Sequence, residues 1–184
     1  VAVFKKDLLT WVRNETVLYD YTGYPLPVGN GLPAPNPAKD VLTRDINGEG
    51  GSMKGLELTV NVPLDLLWAP LNGFGLFASY SDTDSNIVRN GVVEAIPGLS
   101  RYVSNVSFYY ERNGFSVRLN QRTRSGFLAE ERIFDGNLQE VYFDGETVRD
   151  AQINYSFQDG PMKDLTLFLQ FNNISDSPST RSTG

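Results

Sequence analysis

The chain has 184 residues, a net charge of −6, and neither cysteine nor histidine. That composition excludes disulfides, thiolate or histidine metal sites and a histidine-based catalytic triad. The acidic balance argues against nucleic acid as a partner, because phosphate binding needs a positive surface. Val1 to Val12 reads as a strand that opens without preamble, so the sequence reads as cut from something longer. From about Asn14 to Gly50 the chain is polar and carries Pro25, Pro27, Pro33, Pro35 and Pro37. Proline at this density cannot sit in a ladder, which predicts one long loop. Ser52 to Val62 predicts a second strand, with Leu56, Leu58, Val60 and Val62 on one parity and Glu57, Thr59 and Asn61 on the other. Pro63 ends it, and Leu64 to Asn72 is a short apolar connection containing Trp68 and Pro70. Gly73 to Thr83 predicts the third strand, aligning Phe74, Leu76, Ala78 and Tyr80. A loop over 84–98 follows.

Arg101 to Arg112 predicts the fourth strand, setting Val106, Phe108 and Tyr110 against Ser107, Tyr109 and Glu111. Asn113-Gly114 is the strongest two-residue hairpin signal available. It leads into a fifth strand whose Phe115, Val117 and Leu119 oppose Ser116, Arg118, Asn120, Arg122 and Arg124. A loop over 126–146 carries Glu130, Glu131, Asp135, Glu140 and Asp144. Thr147 to Phe157 and Asp164 to Asn173 predict the sixth and seventh strands, joined by a turn at 158–163. The tail from Asp176 to Gly184 shows no pattern.

The expected fold class is all-β, an antiparallel up-and-down meander of about seven strands of roughly 9–12 residues. No run approaches the ~18 apolar residues of a membrane helix, which leaves a membrane barrel open, since its strands are short and only half apolar. Connections alternate long and short, as in outer-membrane barrels; Greek-key sandwiches have no reason to keep that rhythm. Aromatic residues gather near strand ends (Trp11, Tyr80, Tyr109, Tyr110, Phe127, Phe143, Tyr155, Phe157), as interfacial girdles would. An alternating strand fits two settings: core on one side and water on the other, or lipid on one side and a wet lumen on the other.

Several motifs in order resemble the barrel of TonB-dependent outer-membrane receptors. They are Val3-Phe4-Lys5-Lys6-Asp7-Leu8; Gly50-Gly51-Ser52-Met53-Lys54-Gly55-Leu56-Glu57-Leu58; the strand from Phe74 to Ser85; Ile96-Pro97-Gly98-Leu99-Ser100; and Leu165 to Asp176. The branch most similar is one of proteobacterial receptors linked to oligosaccharide uptake. The resemblance implies a partial barrel domain over 1–184, part of a transmembrane β-barrel of ~22 strands. The family's plug and closing strand have no counterpart in these residues. It further implies import of a scarce nutrient, an oligosaccharide or siderophore, in the outer membrane of a Gram-negative bacterium. Energy would come from the inner-membrane TonB complex acting through the plug. The implied partners are the rest of the same receptor, outer-membrane lipid and a small nutrient ligand, with no cofactor and no enzymatic role.

On that reading Leu56, Leu58, Val60, Phe115, Val117, Leu119, Leu165, Leu167 and Leu169 face lipid. Glu57, Arg118, Asn120, Arg122, Arg124, Asp150, Gln152 and Asn154 face the lumen. The arginines either line the substrate path or contact the plug, or they solvate the lumen in pairs with Glu111 and Asp150. Tyr19, Tyr21 and Tyr24 either stack on sugar rings or an aromatic siderophore, or belong to a plain structural loop. Asp82-x-Asp84-x-Asn86 has the alternate oxygen spacing of a calcium loop but lacks the glycine and terminal carboxylate of an EF-hand. It and Glu130, Glu131 and Asp135 otherwise read as solvated loop or as ligands of a cation bridging lipopolysaccharide. Gly48 to Gly51 lacks the Lys-Ser/Thr of a phosphate loop. Asn105-Val106-Ser107 and Asn173-Ile174-Ser175 match the glycosylation pattern but fall on predicted strands. The alternative function is a secreted soluble β-sandwich that binds carbohydrate.

Overall fold

The structure is a computed structural model that describes residues 1–25, 31, 34–89, 91–132 and 138–183. Its main sheet runs in the order β1 (Ala2–Leu8), β4 (Gly51–Pro63), β5 (Phe74–Arg89), β7 (Tyr102–Arg112), β8 (Phe115–Arg124), β11 (Glu146–Ser156) and β12 (Thr166–Phe171). Every neighbour is antiparallel, so this spine is the expected seven-strand meander. The Asn113-Gly114 turn has φ of 50° and 79°, the left-handed pair that a two-residue hairpin needs.

Register carries the two-faced pattern across the sheet. Val62, Leu76, Phe108, Leu119, Ala151 and Phe171 are successive partners in one row. Asn61, Phe77, Ser107, Asn120 and Asp150 form an adjacent row, displaced by one residue and therefore on the opposite face. One face is thus apolar from β4 to β12, and the other is polar apart from residues such as Phe77 and Phe168.

The packing is inside out relative to a soluble protein. Buried apolar residues number two among those described, Ile87 and Val141, while the polar Ser85 and Ser107 are also buried. Leu119, Leu167 and Leu169 on the apolar face are 48%, 57% and 62% exposed. A soluble sandwich would bury this face under a second sheet, and among the described residues none covers it. Outward-facing Tyr80 and Tyr102 mark one border of the apolar band, and Phe74, Tyr110, Phe115 and Tyr155 mark the other. Tyr102 and Tyr110 lie eight positions apart on β7, about 27 Å of strand. At a tilt of ~40° this is about 21 Å of thickness, close to the ~25 Å band of outer-membrane barrels.

The connections at the Tyr80–Tyr102 end differ from expectation. The supposed loop over 14–50 contains a hairpin of β2 (Val12–Leu18) and β3 (Val41–Asn47), and the single strand expected over 1–12 divides between β1 and β2. The prolines punctuate the segment between the hairpin strands instead of excluding them; Pro27 and Pro33 lie outside the described residues. The strand expected to end at Thr83 continues to Arg89 and turns back into β6 (Val92–Glu94). The loop over 126–146 contains β9 (Phe127–Arg132) and β10 (Leu138–Phe143), and the unpatterned tail adds β13 (Arg181–Thr183) to β10. These strands have mixed polarity on both faces, so no periodicity announced them.

Candidate functional site

The polar face collects the seven residues expected on β8 and β11, and Glu57 of β4 shares that face. Arg118, Asn120, Arg122 and Arg124 alternate along β8, and Asp150, Gln152 and Asn154 alternate beside them on β11. Arg122 Nη2 lies 3.6 Å from Asp150 Oδ2, the pairing expected from the ladder. Arg124 Nε lies 2.9 Å from Glu146 Oε1, and its guanidinium stacks 4.9 Å from the Phe127 ring centroid. Glu111, the other expected partner, sits opposite Ser116 and not opposite an arginine. The Ser107 hydroxyl donates to Asn120 Oδ1 at 2.7 Å, Gln152 Nε2 to Asn154 Oδ1 at 3.0 Å, and Asn154 Nδ2 to Ser116 Oγ at 3.1 Å.

Arg118 is the cation least committed to a carboxylate. Its guanidinium rests 5.6 Å from the centroid of the Tyr109 ring. Tyr109 lies across the backbone of Gly75, where any Cβ would overlap the ring. Arg118 therefore divides two hollows of the polar face. One, of about 460 Å³, is bordered by Phe77, Asn105, Asn120, Arg122 and Gln170. The other, of about 730 Å³, lies toward the Asn113-Gly114 turn and is bordered by Tyr109, Glu111, Gln152 and Asn154. Asn105 Oδ1 is buried without a hydrogen-bond partner, leaving an acceptor for a donor brought to this face. Phe77, Asn105 and Gln170 border this face but were not singled out for it in the sequence, and Tyr109, set on the polar parity of its strand, was read as an interfacial aromatic. Strand parity carried through β5, β7 and β12 as it was through β8 would have found them.

The three tyrosines come together at the end of β2. Tyr19 and Tyr21 have ring centroids 4.7 Å apart, Tyr21 and Tyr24 5.6 Å, both edge to face. An Asx turn shapes the bend, with Thr22 N–H donating to Asp20 Oδ1 at 2.8 Å. The Thr22 hydroxyl and then its N–H hold the Asp20 carboxyl below the usual carboxylate range. Tyr24 is 60% exposed.

The supposed calcium loop is not a loop. Asp82, Asp84 and Asn86 lie on extended β5, on the outward side of the sheet. Alternate positions on a strand are about 7 Å apart, too far to wrap one ion without a bend. Asp82 already faces Arg101 at 3.4 Å and Asp84 faces Lys54 at 3.2 Å. Among the described residues no three acidic side chains gather around a common point. Glu130 pairs with Arg89, while Asp135 and the Glu131 side chain lie outside the described residues. Asn105 sits within β7 as expected, but Asn173 lies past the end of β12 with φ of 50° and not on a strand; its Oδ1 accepts from Ser177 N–H at 2.9 Å.

Arg89 was also missed. Its guanidinium stacks 5.4 Å from the Trp11 ring, pairs with Glu130 of β9, and lies 3.3 Å from Glu94 of β6. One side chain thus ties together three of the segments beyond the end of the apolar band.

Residues 4–174 match the family model described as TonB dependent receptor-like, beta-barrel. No curated protein and no solved structure matches the chain.

Proposed function

Since the chain belongs to the TonB-dependent receptor β-barrel family, whose members are outer-membrane transporters of Gram-negative bacteria, we propose that it supplies consecutive staves of one receptor that imports a scarce nutrient. The observation that carries this reading is the unbroken register of apolar against polar rows from β4 to β12. Lipid on one side and a wet lumen on the other is the setting that rewards such a sheet. The rest of the barrel pairs with the free edges of β1 and β12. A plug domain of the same receptor fills the lumen against Arg118, Asn105 and Phe77, and the inner-membrane TonB complex supplies energy through that plug.

The cargo is an oligosaccharide or a siderophore. Support comes from the edge-to-face cluster of Tyr19, Tyr21 and Tyr24, which offers rigid aromatic area at the outer end, and from the amide-rich polar face below it. The chemistry of such a site is recognition and passage. The test is uptake of labelled oligosaccharides and ferric siderophores by the native host, by a strain lacking this receptor and by one lacking TonB. One ligand class should lose uptake in both deletions. Uptake of every ligand unchanged in both would overturn the reading.

A further inference from the structure

The connection between β4 and β5 is unlike the other two at its end of the sheet. The β7–β8 connection is the tight Asn113-Gly114 turn, and 158–164 carries Asp159, Lys163 and Asp164. Between Pro63 and Phe74 the single ionisable side chain is Asp65. Two 3-10 turns, Leu64–Leu66 and Ala69–Leu71, fold this segment. Leu64 and Leu71 are half-buried and anchor it, while Leu66, Leu67 and Trp68 project at 77%, 75% and 64% exposure. Large apolar side chains held out in this way lose free energy in water.

Four backbone N–H groups of the segment are paired within it. Leu67 and Trp68 N–H groups donate to Leu64 C=O at 3.0 and 3.2 Å. Leu71 N–H donates to Trp68 C=O at 2.9 Å, Asn72 N–H donates to Ala69 C=O at 3.2 Å, and Pro70 has no donor to satisfy. Pairing of this kind lowers the cost of moving an irregular segment from water toward the hydrocarbon. The segment also continues a lipid-facing surface. It starts where the outward Leu58, Val60 and Val62 of β4 end, and it delivers the chain to Phe74. Phe74 packs 4.5 Å from Tyr110 in the aromatic border of the band.

We propose that the 64–71 segment is an interfacial anchor that lays Leu66, Leu67 and Trp68 into the phospholipid leaflet beside the barrel. Trp is suited to this position because its ring prefers the headgroup level, and a short amphipathic turn can lie in the plane of the interface without spanning it. The inference rests on the membrane-barrel reading above, and the experiment separates the two.

The receptor carrying this chain is reconstituted in liposomes whose acyl chains are brominated near the headgroup. The emission of Trp68 is taken as the difference between the parent and Trp68→Phe. It should be blue-shifted, fall at least about twofold in the brominated bilayer and resist aqueous iodide. Quenching by iodide with no effect of bromine would overturn the anchor. Resistance to both quenchers would also overturn it, since the turn would then be covered by protein. A Leu119→Trp reporter in the middle of the band reports on the barrel itself. Its quenching by deep bromines alongside a silent Trp68 removes the anchor alone, whereas failure of both reporters removes the membrane reading.

Discussion

Val117 and Val17 both sit inside antiparallel strands, yet they keep different company. Val117 shares its face with Phe115 and Leu119 and lies between Tyr110 and Ile153 of the neighbouring strands. Val17 shares its face with Glu15 and Arg13, and the opposite face of β2 is an exposed row of Val12, Asn14, Thr16 and Leu18. The ladders are alike; the solvents are not. A lipid-facing side on β8 demands apolar residues from end to end, while β2, exposed on one side and half-buried on the other, mixes charged and apolar residues on its faces. The fold is therefore one architecture written in two sequence grammars, divided at the Tyr80–Tyr102 border.

The largest effect that would expose this division is a charge on the band. Val117→Arg in the receptor should cost about 2–4 kcal/mol at mid-band. Val17→Arg, on a half-buried side that already carries Arg13 and Glu15, should cost about 1 kcal/mol or less. Asn120→Arg, one strand position from lipid but facing the lumen, should resemble Val17→Arg and not Val117→Arg. Urea unfolding from lipid vesicles measures all three. Equal costs for Val117→Arg and Asn120→Arg would erase the two-faced description.

The same division explains what was legible. Each strand of the spine from β4 to β12 was visible in the sequence because period-two alternation is imposed where one side meets lipid. The lumen set of β8 and β11 followed from the same parity, and the structure places all seven residues on one face. Above the border the signal vanished. Thr16 with Thr43 and Glu15 with Arg44 satisfy one another across the β2–β3 hairpin, and nothing in a single strand's composition reveals a partner 27–29 positions away. Asp82 and Asp84 misled for a related reason. Oxygen ligands at alternate positions look alike in a calcium loop and on a strand, and only the ion pairs with Arg101 and Lys54 reveal which it is. Arg89 carried no local mark, since its partners Trp11, Glu94 and Glu130 come from three separate segments.

Arg89 supplies the intermediate effect. It is about one-fifth exposed, and its Nε approach to Glu94 is an ion pair without a well-directed hydrogen bond. The Glu130 contact and the stacking on Trp11 therefore carry most of its contribution. Arg89→Met keeps the apolar stem and removes both charge contacts, at about 1–3 kcal/mol of local stability. Amide hydrogen exchange should quicken about tenfold or more in β6 and β9 and stay unchanged in β8 and β11. Faster exchange in the band strands as well would mean that the outer hairpins and the membrane sheet form one cooperative unit, against the division drawn here.

The smallest effect belongs to Arg44 and Glu15, directly opposed on β3 and β2. Arg44 Nε and Nη2 both reach Glu15 Oε2, at 3.1 and 2.9 Å, so the fork is spent on one oxygen and the pair lacks the two-oxygen geometry that strengthens such contacts. Arg44 is 56% exposed and Glu15 27%. A pair in that position gains little Coulomb energy in a high dielectric and must hold two long side chains still. A double-mutant cycle of Arg44→Ala and Glu15→Ala should give a coupling of about 0.2–1 kcal/mol, falling toward zero near 1 M salt, where the screening length is about 3 Å. A salt-independent coupling above about 2 kcal/mol would require a low dielectric around the hairpin. Its grammar would then be that of a buried interface, with the rest of the receptor folded over it, and no longer that of a strand pair standing in water.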